Sequence, residues 1–392
     1  MGSERQKEFW HPPWWKWCIF VLLVAGSVLL FRHRPAPKPV KVKLLTLNYP
    51  TPTWDGSYPS VVISLNPSSG RVHSDGPVPL IKPTVRHDAP VNQAEVALDS
   101  GMFTLRQTDL FVGDAVPLAL TRTYRVWDDH SRAFGMGANH PYDICPTGTR
   151  FPYTYMNLNL EDGRAIYFPR ISTGTGYADA VFGHHTTLSE FYQAQIAWNG
   201  NGWTLDFRDG RKFLFPESYY AKNYAQGAPI EMRDAHGNRI QLKRDKVRNL
   251  EQMISPSGHT ISFKYDEADR IVEAADDAGN IRRYSYDPSG HLEAVGDASH
   301  LLYRFEYEFI HYARRYDGYL MTILKDGEGK VLLRNLYQDR SRVSAQRLAN
   351  GDVYRYDYLL DRKYNVVETR VTLPSGEEKR FFFRDGIPVA SK

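Results

Sequence analysis

Residues 260–297 read TISFKYDEADRIVEAADDAGNIRRYSYDPSGHLEAVGD. In the first six, Ile261, Phe263 and Tyr265 alternate with Thr260, Ser262 and Lys264. That period of two sends apolar side chains to one face of a strand and polar ones to the other. A polar turn follows (EADR), then a second short apolar run, IVEAA, from Ile271. The pattern then repeats. Tyr286-Asp287 stands 21 residues after Tyr265-Asp266, and the turn PSGH leads to LEAV. Each unit therefore reads as a hairpin. One hairpin is marginally stable in water, so neighbours must pair edge to edge into a continuous sheet.

The period of 21 extends both ways. Gly237, Gly258 and Gly279 keep it, as do Phe263, Tyr284 and Phe305, and Leu250, Ile271 and Leu292. Gly290 marks the turn after Asp287. One step back from Tyr265-Asp266 lies Arg244-Asp245, and one step beyond Tyr286-Asp287 lies Tyr307-Glu308. After a slip of phase the rhythm resumes at Tyr316, Tyr337 and Tyr358. The Asp after each Tyr is expected to accept backbone amides of the turn it opens. The recurring tyrosines are expected to stack as a ladder on one face.

Upstream, from Gln93 to Glu217, strand signals are dense. In PLALTRTYRVW (Pro117–Trp127), Leu118, Leu120, Arg122, Tyr124 and Val126 alternate with Ala119, Thr121, Thr123 and Arg125. QIAW and WTLDF flank Asn199-Gly-Asn-Gly202, a hairpin signal because Asn-Gly adopts the positive φ a tight turn needs. Asp-Gly-Arg recurs at 162–164 and 209–211, each time before an aromatic-rich strand, AIYFP or KFLFP. The 25 Tyr and 29 Gly agree with an all-β chain, since aromatics favour pleated surfaces and Gly favours turns.

The units YDEADRIVEAADDAGN and YDPSGHLEAVGD resemble YD, or RHS, repeats, whose pattern is roughly YDxxGRLxxVxxxxG. GMFTLRQTDLFVGDAVPLALTRTYR (Gly101–Arg125), FGMGANHPYD (Phe134–Asp143), EDGRAIYFP and WTLDFRDGRKFLFPE resemble the domain that precedes the repeats in many bacterial RHS proteins. The resemblance covers roughly Gln93 to Gly386. It implies a β-ribbon that curls around a cavity, which in full-length members holds a toxic C-terminal domain. It divides the chain into an RHS-associated β domain over 93–228 and repeats over 229–392. The repeat stretch is several times shorter than a full shell, and no variable domain follows it. DPSGHL (Asp287–Leu292) superficially resembles the family's DPxGL-type cleavage signature, but it falls in phase as a repeat turn. No self-cleavage is assigned.

Ahead of the resemblance stand a tail (1–13), an apolar stretch (14–31) and a Pro-rich linker (32–92). Trp17–Phe31 is free of charge, and Trp10, Trp14, Trp15 and Trp17 gather at one end, as an interfacial aromatic belt does. We read 14–31 as a single transmembrane helix, with a cleaved signal peptide and a buried core helix as rivals. Positive residues are more numerous after the segment, yet long domains translocate despite nearby charge. The expected location is the inner membrane, with the C-terminal domain outside the cytoplasm. SVVISL (Ser60–Leu65) allows one strand of a small hairpin within the linker.

Chemistry is sparse. Cys18 and Cys145 are the only cysteines, which excludes a disulfide framework and a four-cysteine zinc site. His130, His140, His184 and His185 lack ligand spacing and read as loop histidines, His140 as a turn or packing residue. Asp128-Asp129 and Asp276-Asp277 sit in turns, and no nucleophile elbow or phosphate loop is present. No catalytic, cofactor or metal site is assigned; the structural positions are Tyr265, Asp266, Tyr286, Asp287, Gly258, Gly279 and Gly290. A net charge of +4, concentrated near the apolar segment, argues against nucleic acid. The expected function is a non-enzymatic, membrane-anchored RHS structural module. It forms a partial shell that contacts a partner or cargo, in the setting of bacterial toxin delivery or interbacterial competition. The alternative is a cell-surface or carbohydrate-binding β module. A protein partner is expected at the terminal strand edge near Arg380–Phe383, because an uncovered edge pairs with other chains.

Overall fold

The computed structural model describes residues 60–62, 73–75, 93–126, 128, 130–185, 190–218, 221, 224–310, 318–338, 341–362, 364–384 and 387–389. The expected transmembrane helix over 14–31, the tail before it and most of the linker lie outside these residues. The described residues are all-β apart from two short 3-10 turns. Among them no helix is long and apolar enough to cross a membrane. In the linker, Ser60–Val62 pairs antiparallel with His73–Asp75, the small hairpin expected there.

A 19-stranded antiparallel sheet runs from Val181–Gly183 to Ile387–Val389, each strand hydrogen-bonded to the one before and the one after it in sequence. This order follows from the turns. At 266–270 the Asp266 N–H donates to the Arg270 carbonyl (2.9 Å) and the Asp269 N–H to the Asp266 carbonyl (3.1 Å). The same two bonds recur at 234–238, 255–259, 276–280 and 287–291. This is a type I turn closed by one left-handed residue, a geometry that sends the chain straight back along the strand it left. The left-handed position is Gly258 (φ 92°), Gly279 (φ 85°) or Gly290 (φ 87°), which explains the glycine period. Asp266 Oδ1 accepts the amides of Ala268 (3.0 Å) and Arg270 (2.9 Å). Asp287 Oδ1 accepts those of Ser289 (2.8 Å) and His291 (2.9 Å). The expected role of the repeat aspartates holds.

The tyrosines differ from expectation. They do not stack on one another. A repeat is two strands, so equivalent tyrosines stand about 9.5 Å apart across the sheet, beyond the 4.5–7 Å of a ring contact. Each reaches back instead. Tyr265 Oη donates to the Leu250 carbonyl (3.0 Å), Tyr286 to Ile271 (2.5 Å), Tyr307 to Leu292 (3.0 Å), Tyr337 to Met321 (2.7 Å) and Tyr358 to Val343 (2.9 Å). The strand register shifts immediately before Tyr265, Tyr286, Tyr307 and Tyr337. Such a bulge re-aims the side chain that follows it.

Between the linker hairpin and the large sheet lie a two-stranded ribbon, Ser131–Arg132 with Gly135–Met136, and two larger sheets. One joins Gln93–Val96, Phe103–Val112, Leu118–Arg125 and Ala138–Asn139, and the other joins Cys145–Gly148, Tyr155–Asn159 and Ala165–Pro169. Their apolar residues share one buried cluster with the repeats: Phe103, Leu105, Leu120 and Phe134 belong to it together with Ile261, Phe263, Leu292, Phe305 and Val371. The core therefore lies between the N-terminal sheets and one face of the repeat sheet. The opposite face is polar, with Glu273 bridging Lys264 and Arg283 across three strands. Hairpin pairing passes residue 229 without a break. The terminal strand is Ile387–Val389, not the RFFF strand: it pairs with Phe382, Phe383 and Arg384, and among the described residues no strand covers the outer side of Glu378–Phe381.

Candidate functional site: the seam on the repeat sheet

The N-terminal segment is fastened to the buried face of the repeats at points spread along much of the array. At its centre is a buried charge. Arg122, on the apolar side of its strand, is fully buried. Its Nε lies 3.1 Å from Asp109 Oδ2, and one terminal nitrogen donates to Gln107 Oε1 at 2.9 Å. Asp109 Oδ2 also accepts the Tyr284 hydroxyl of the repeats (3.0 Å). The Arg122 guanidinium stands 5.0 Å from the Phe305 ring centroid and 6.0 Å from that of Phe134. Burial works against its charge, but Asp109 more than offsets this and holds it protonated. Burial and the neighbouring Asp109 together push the Tyr284 hydroxyl far above its ordinary range, so it acts as a hydrogen-bond donor.

Arg244 takes the place one period before Tyr265, and it performs the tyrosine's task. Its Nε donates to the Pro229 carbonyl (3.1 Å), the same fifteen-residue reach as Tyr265 to Leu250. Unlike a tyrosine it has further donors, which bind Asp143 Oδ1 (2.9 Å) and the Tyr142 carbonyl of the N-terminal segment. Beside it His140 is fully buried among the rings of Phe134, Tyr142 and Phe263. Neither ring nitrogen has a hydrogen-bond partner, and Nε2 is 3.7 Å from Asp143 Oδ2. Burial lowers the imidazole pKa and outweighs Asp143, so the ring is neutral. His140 is thus a packing residue, as expected, and His184, in the loop just after Val181–Gly183, is buried, with Nδ1 2.8 Å from the Tyr167 carbonyl.

Backbone contacts complete the seam. Met136 N–H donates to the Gly290 carbonyl (2.9 Å), Ile271 N–H to Ala133 (2.8 Å) and Val343 N–H to Gly101 (2.9 Å). Met321 N–H donates to the Tyr124 hydroxyl (3.1 Å), and Thr369 Oγ1 to the Leu98 carbonyl (2.5 Å). Asp114 accepts from Ser255 and Ser257 of a repeat turn. Of the expected structural positions, Gly290 meets the seam directly, whereas a Cβ on Gly258 or Gly279 would meet open space. Gly135 is what allows the approach, since a Cβ there would lie 2.3 Å from the Gly290 carbonyl oxygen. Arg122, Asp109 and Arg244 were not singled out from sequence. The signal for Arg122 was its phase, a charged residue in register with leucines.

Asp109, Arg122 and Tyr284 are buried and paired among themselves, Arg244 pairs with Asp143, and His140 is buried and neutral. The Cys145 thiol is buried and pushed up to about 12, with burial the main cause. Among the described residues no His, Cys, Asp and Glu cluster suits a metal ion.

The RHS Repeat family matches residues 265–301, the stretch whose Tyr–carbonyl bonds and Asp-headed turns are described above. The chain carries RHS repeats. A domain of unknown function (DUF6531) matches residues 93–168, the segment seated on the RHS array. No curated protein matches the chain in sequence. Among solved structures, TcdB2-TccC3-TEV is similar over 74% of this chain at 13% identity and a TM-score of 0.30. The Tc holotoxin pore of Photorhabdus luminescens is similar over the same share at 14% identity and a TM-score of 0.25. The RHS chain described here spans about 16% of the length of these chains. A porin-like protein from Bacteroides uniformis is similar at 11% identity and a TM-score of 0.20, over 74% of this chain and 93% of that one. Superpositions at these TM-scores do not establish a shared fold.

Proposed function

We propose that this RHS chain is a non-enzymatic structural module of a toxin-associated system, tethered to the inner membrane by residues 14–31 with its β domain outside the cytoplasm. The observation that carries the reading is the seam. Residues 98–144 of the same chain cover the apolar face of the repeats, the face that a ribbon shell turns toward its contents. The module is therefore self-filled, and its contact with a protein partner or cargo runs through the last strands of the sheet, where Glu378–Phe382 pairs with Glu368–Thr372 and Phe382–Arg384 with Ile387–Val389. The end of a sheet takes a further strand.

Two measurements test this. A periplasmic-active reporter fused to the C-terminus, combined with alkaline extraction of membranes, is expected to be active and to stay in the pellet. Release of the chain into the soluble fraction refutes the tether. Hydrogen exchange of the full chain, with and without the product of the adjacent gene, is expected to slow over residues 378–389. A monodisperse monomer with unchanged exchange refutes the edge contact.

A further inference from the structure

Away from the seam, the surface carries a run of touching aromatic rings. Phe151, 74% exposed, lies 5.8 Å from Tyr153 between ring centroids. Tyr153 lies 6.1 Å from Tyr177, which is 45% exposed, and Tyr177 meets Trp198 edge-on at 4.9 Å. Trp198 in turn abuts the buried Trp203 at 5.2 Å. The inner rings anchor the outer ones. The bland reading of such a run is core packing, but packing does not require Tyr177 and Phe151 to lie open to solvent, and contiguous exposed apolar surface marks interaction sites.

The loop that presents Tyr177 is held in place by Arg170. Its guanidinium donates to the carbonyls of Ser172 (3.2 Å), Thr173 (2.8 Å), Gly176 (2.7 Å) and Tyr153 (3.2 Å). It also pairs with Asp179 at 3.1 Å. Trp198 is fixed by its cross-strand pairing with Trp203, next to the Asn199 turn. The exposed Tyr177 ring and the half-buried Trp198 ring are thus pre-organised, and a ligand need not order a loop to bind.

The surroundings of the rings are polar and balanced. Arg170 pairs with Asp179, and Arg150 pairs with Glu217 at 2.9 Å, so two cations meet two anions with no net field to select a charged ligand. The Asp179 side chain is still 57% exposed and that of Glu217 34%, which leaves carboxylate oxygens to accept hydroxyl hydrogens.

We propose that the Tyr177–Trp198 surface is a binding platform for a neutral saccharide. A pyranose has an apolar C–H face that stacks on an aromatic ring and a girdle of hydroxyls that reach carboxylates beside it. Phe151 extends the platform toward a second sugar ring. Charge complementarity favours this occupant over an acidic polymer. A protein partner is less suited, because a stable protein interface buries on the order of 800 Å² per side and ion pairs interrupt this apolar run.

The test is a tryptophan-fluorescence titration of the full chain with neutral hexasaccharides of glucose, N-acetylglucosamine, mannose and galactose, plus an acidic galacturonate hexasaccharide. At least one neutral sugar is expected to bind saturably and shift the emission. Tyr177→Ala is expected to weaken it by about tenfold or more with unchanged melting temperature, and Tyr177→Phe to retain it. The proposal is overturned if none of the neutral sugars binds by about 10 mM. It is equally overturned if Tyr177→Ala binds like the parent or if only the acidic sugar binds. Concentration-dependent self-association that Tyr177→Ala abolishes would assign the surface to a second copy and overturn it too.

Discussion

Replacing Arg122 by Met tests whether the seam depends on a buried ion pair. Methionine fills much of the volume between Phe305 and Phe134 but leaves the Asp109 carboxylate without its cation. Removing one partner of a buried pair costs about 3–5 kcal/mol, because an uncompensated charge stays behind. For the span from Gln93 to Val389, a melting entropy of about 0.6 kcal/mol/K (~2.1 cal/mol/K per residue) turns that into a loss of about 5–8 °C. Replacing both partners, Arg122→Met with Asp109→Leu, removes the stranded charge. The remaining cost is the Tyr284 hydroxyl left without its acceptor, about 1–3 kcal/mol. The double variant is therefore expected to melt no lower than either single one, and adding Tyr284→Phe is expected to recover part of the remainder. Calorimetry of the four proteins in one buffer reads the cycle directly. A loss under about 1 kcal/mol for Arg122→Met, or a double variant whose cost is the sum of the singles, refutes the reasoning, since contacting residues must couple.

Other expectations follow from the same geometry. Tyr286→Phe deletes the hydroxyl that satisfies the Ile271 carbonyl and is expected to cost about 1–2 kcal/mol. Amides of the 266–291 hairpins should exchange faster in that variant, and faster exchange confined to the chain ends would argue against a structural role for the Tyr286–Ile271 bond. Gly258→Ala is expected to cost about 1–2 kcal/mol, from its left-handed backbone alone. Gly135→Ala should lose more in urea melts, because its methyl collides with the Gly290 carbonyl and pries the seam apart. His140 supplies a pH dependence. Its folded pKa lies below 6.5, chiefly through burial, so the unfolded chain binds the extra proton first. Stability is then full above about pH 6.5 and falls as the pH drops below it. His140→Leu should flatten the decline between pH 7 and 5. Equal slopes for parent and variant would show that the ring is not the titrating group.

Much of the repeat architecture is legible in sequence because its determinants are local. The period of two in TISFKY sorts Ile261 and Phe263 from Thr260 and Lys264, and the structure buries the first pair and exposes Lys264. The turns are equally local: glycine adopts the left-handed position at least cost, as at Gly258, Gly279 and Gly290, while Asp269 takes it in the 266–270 turn, and Asp266 and Asp287 cap their own amides within four residues. Those two facts suffice for a sequential antiparallel sheet. Even Arg122 was visible as a charge in phase with Leu118 and Leu120.

What the tertiary structure alone decided is what each face and edge meets. Asp109, the partner of Arg122, accepts the Tyr284 hydroxyl, yet 175 residues separate the two, and no periodicity encodes that meeting. The tyrosines were visible as a period but not as donors to a carbonyl fifteen or sixteen residues back, because the bulge that aims them is a property of paired strands. The terminal edge moved for a similar reason, since a three-residue strand at Ile387–Val389 is too short to show a pattern. Local rules fix the sheet because hydrogen bonds between neighbouring strands need only short turns. They do not fix what covers the sheet, because burial is settled by the whole chain at once.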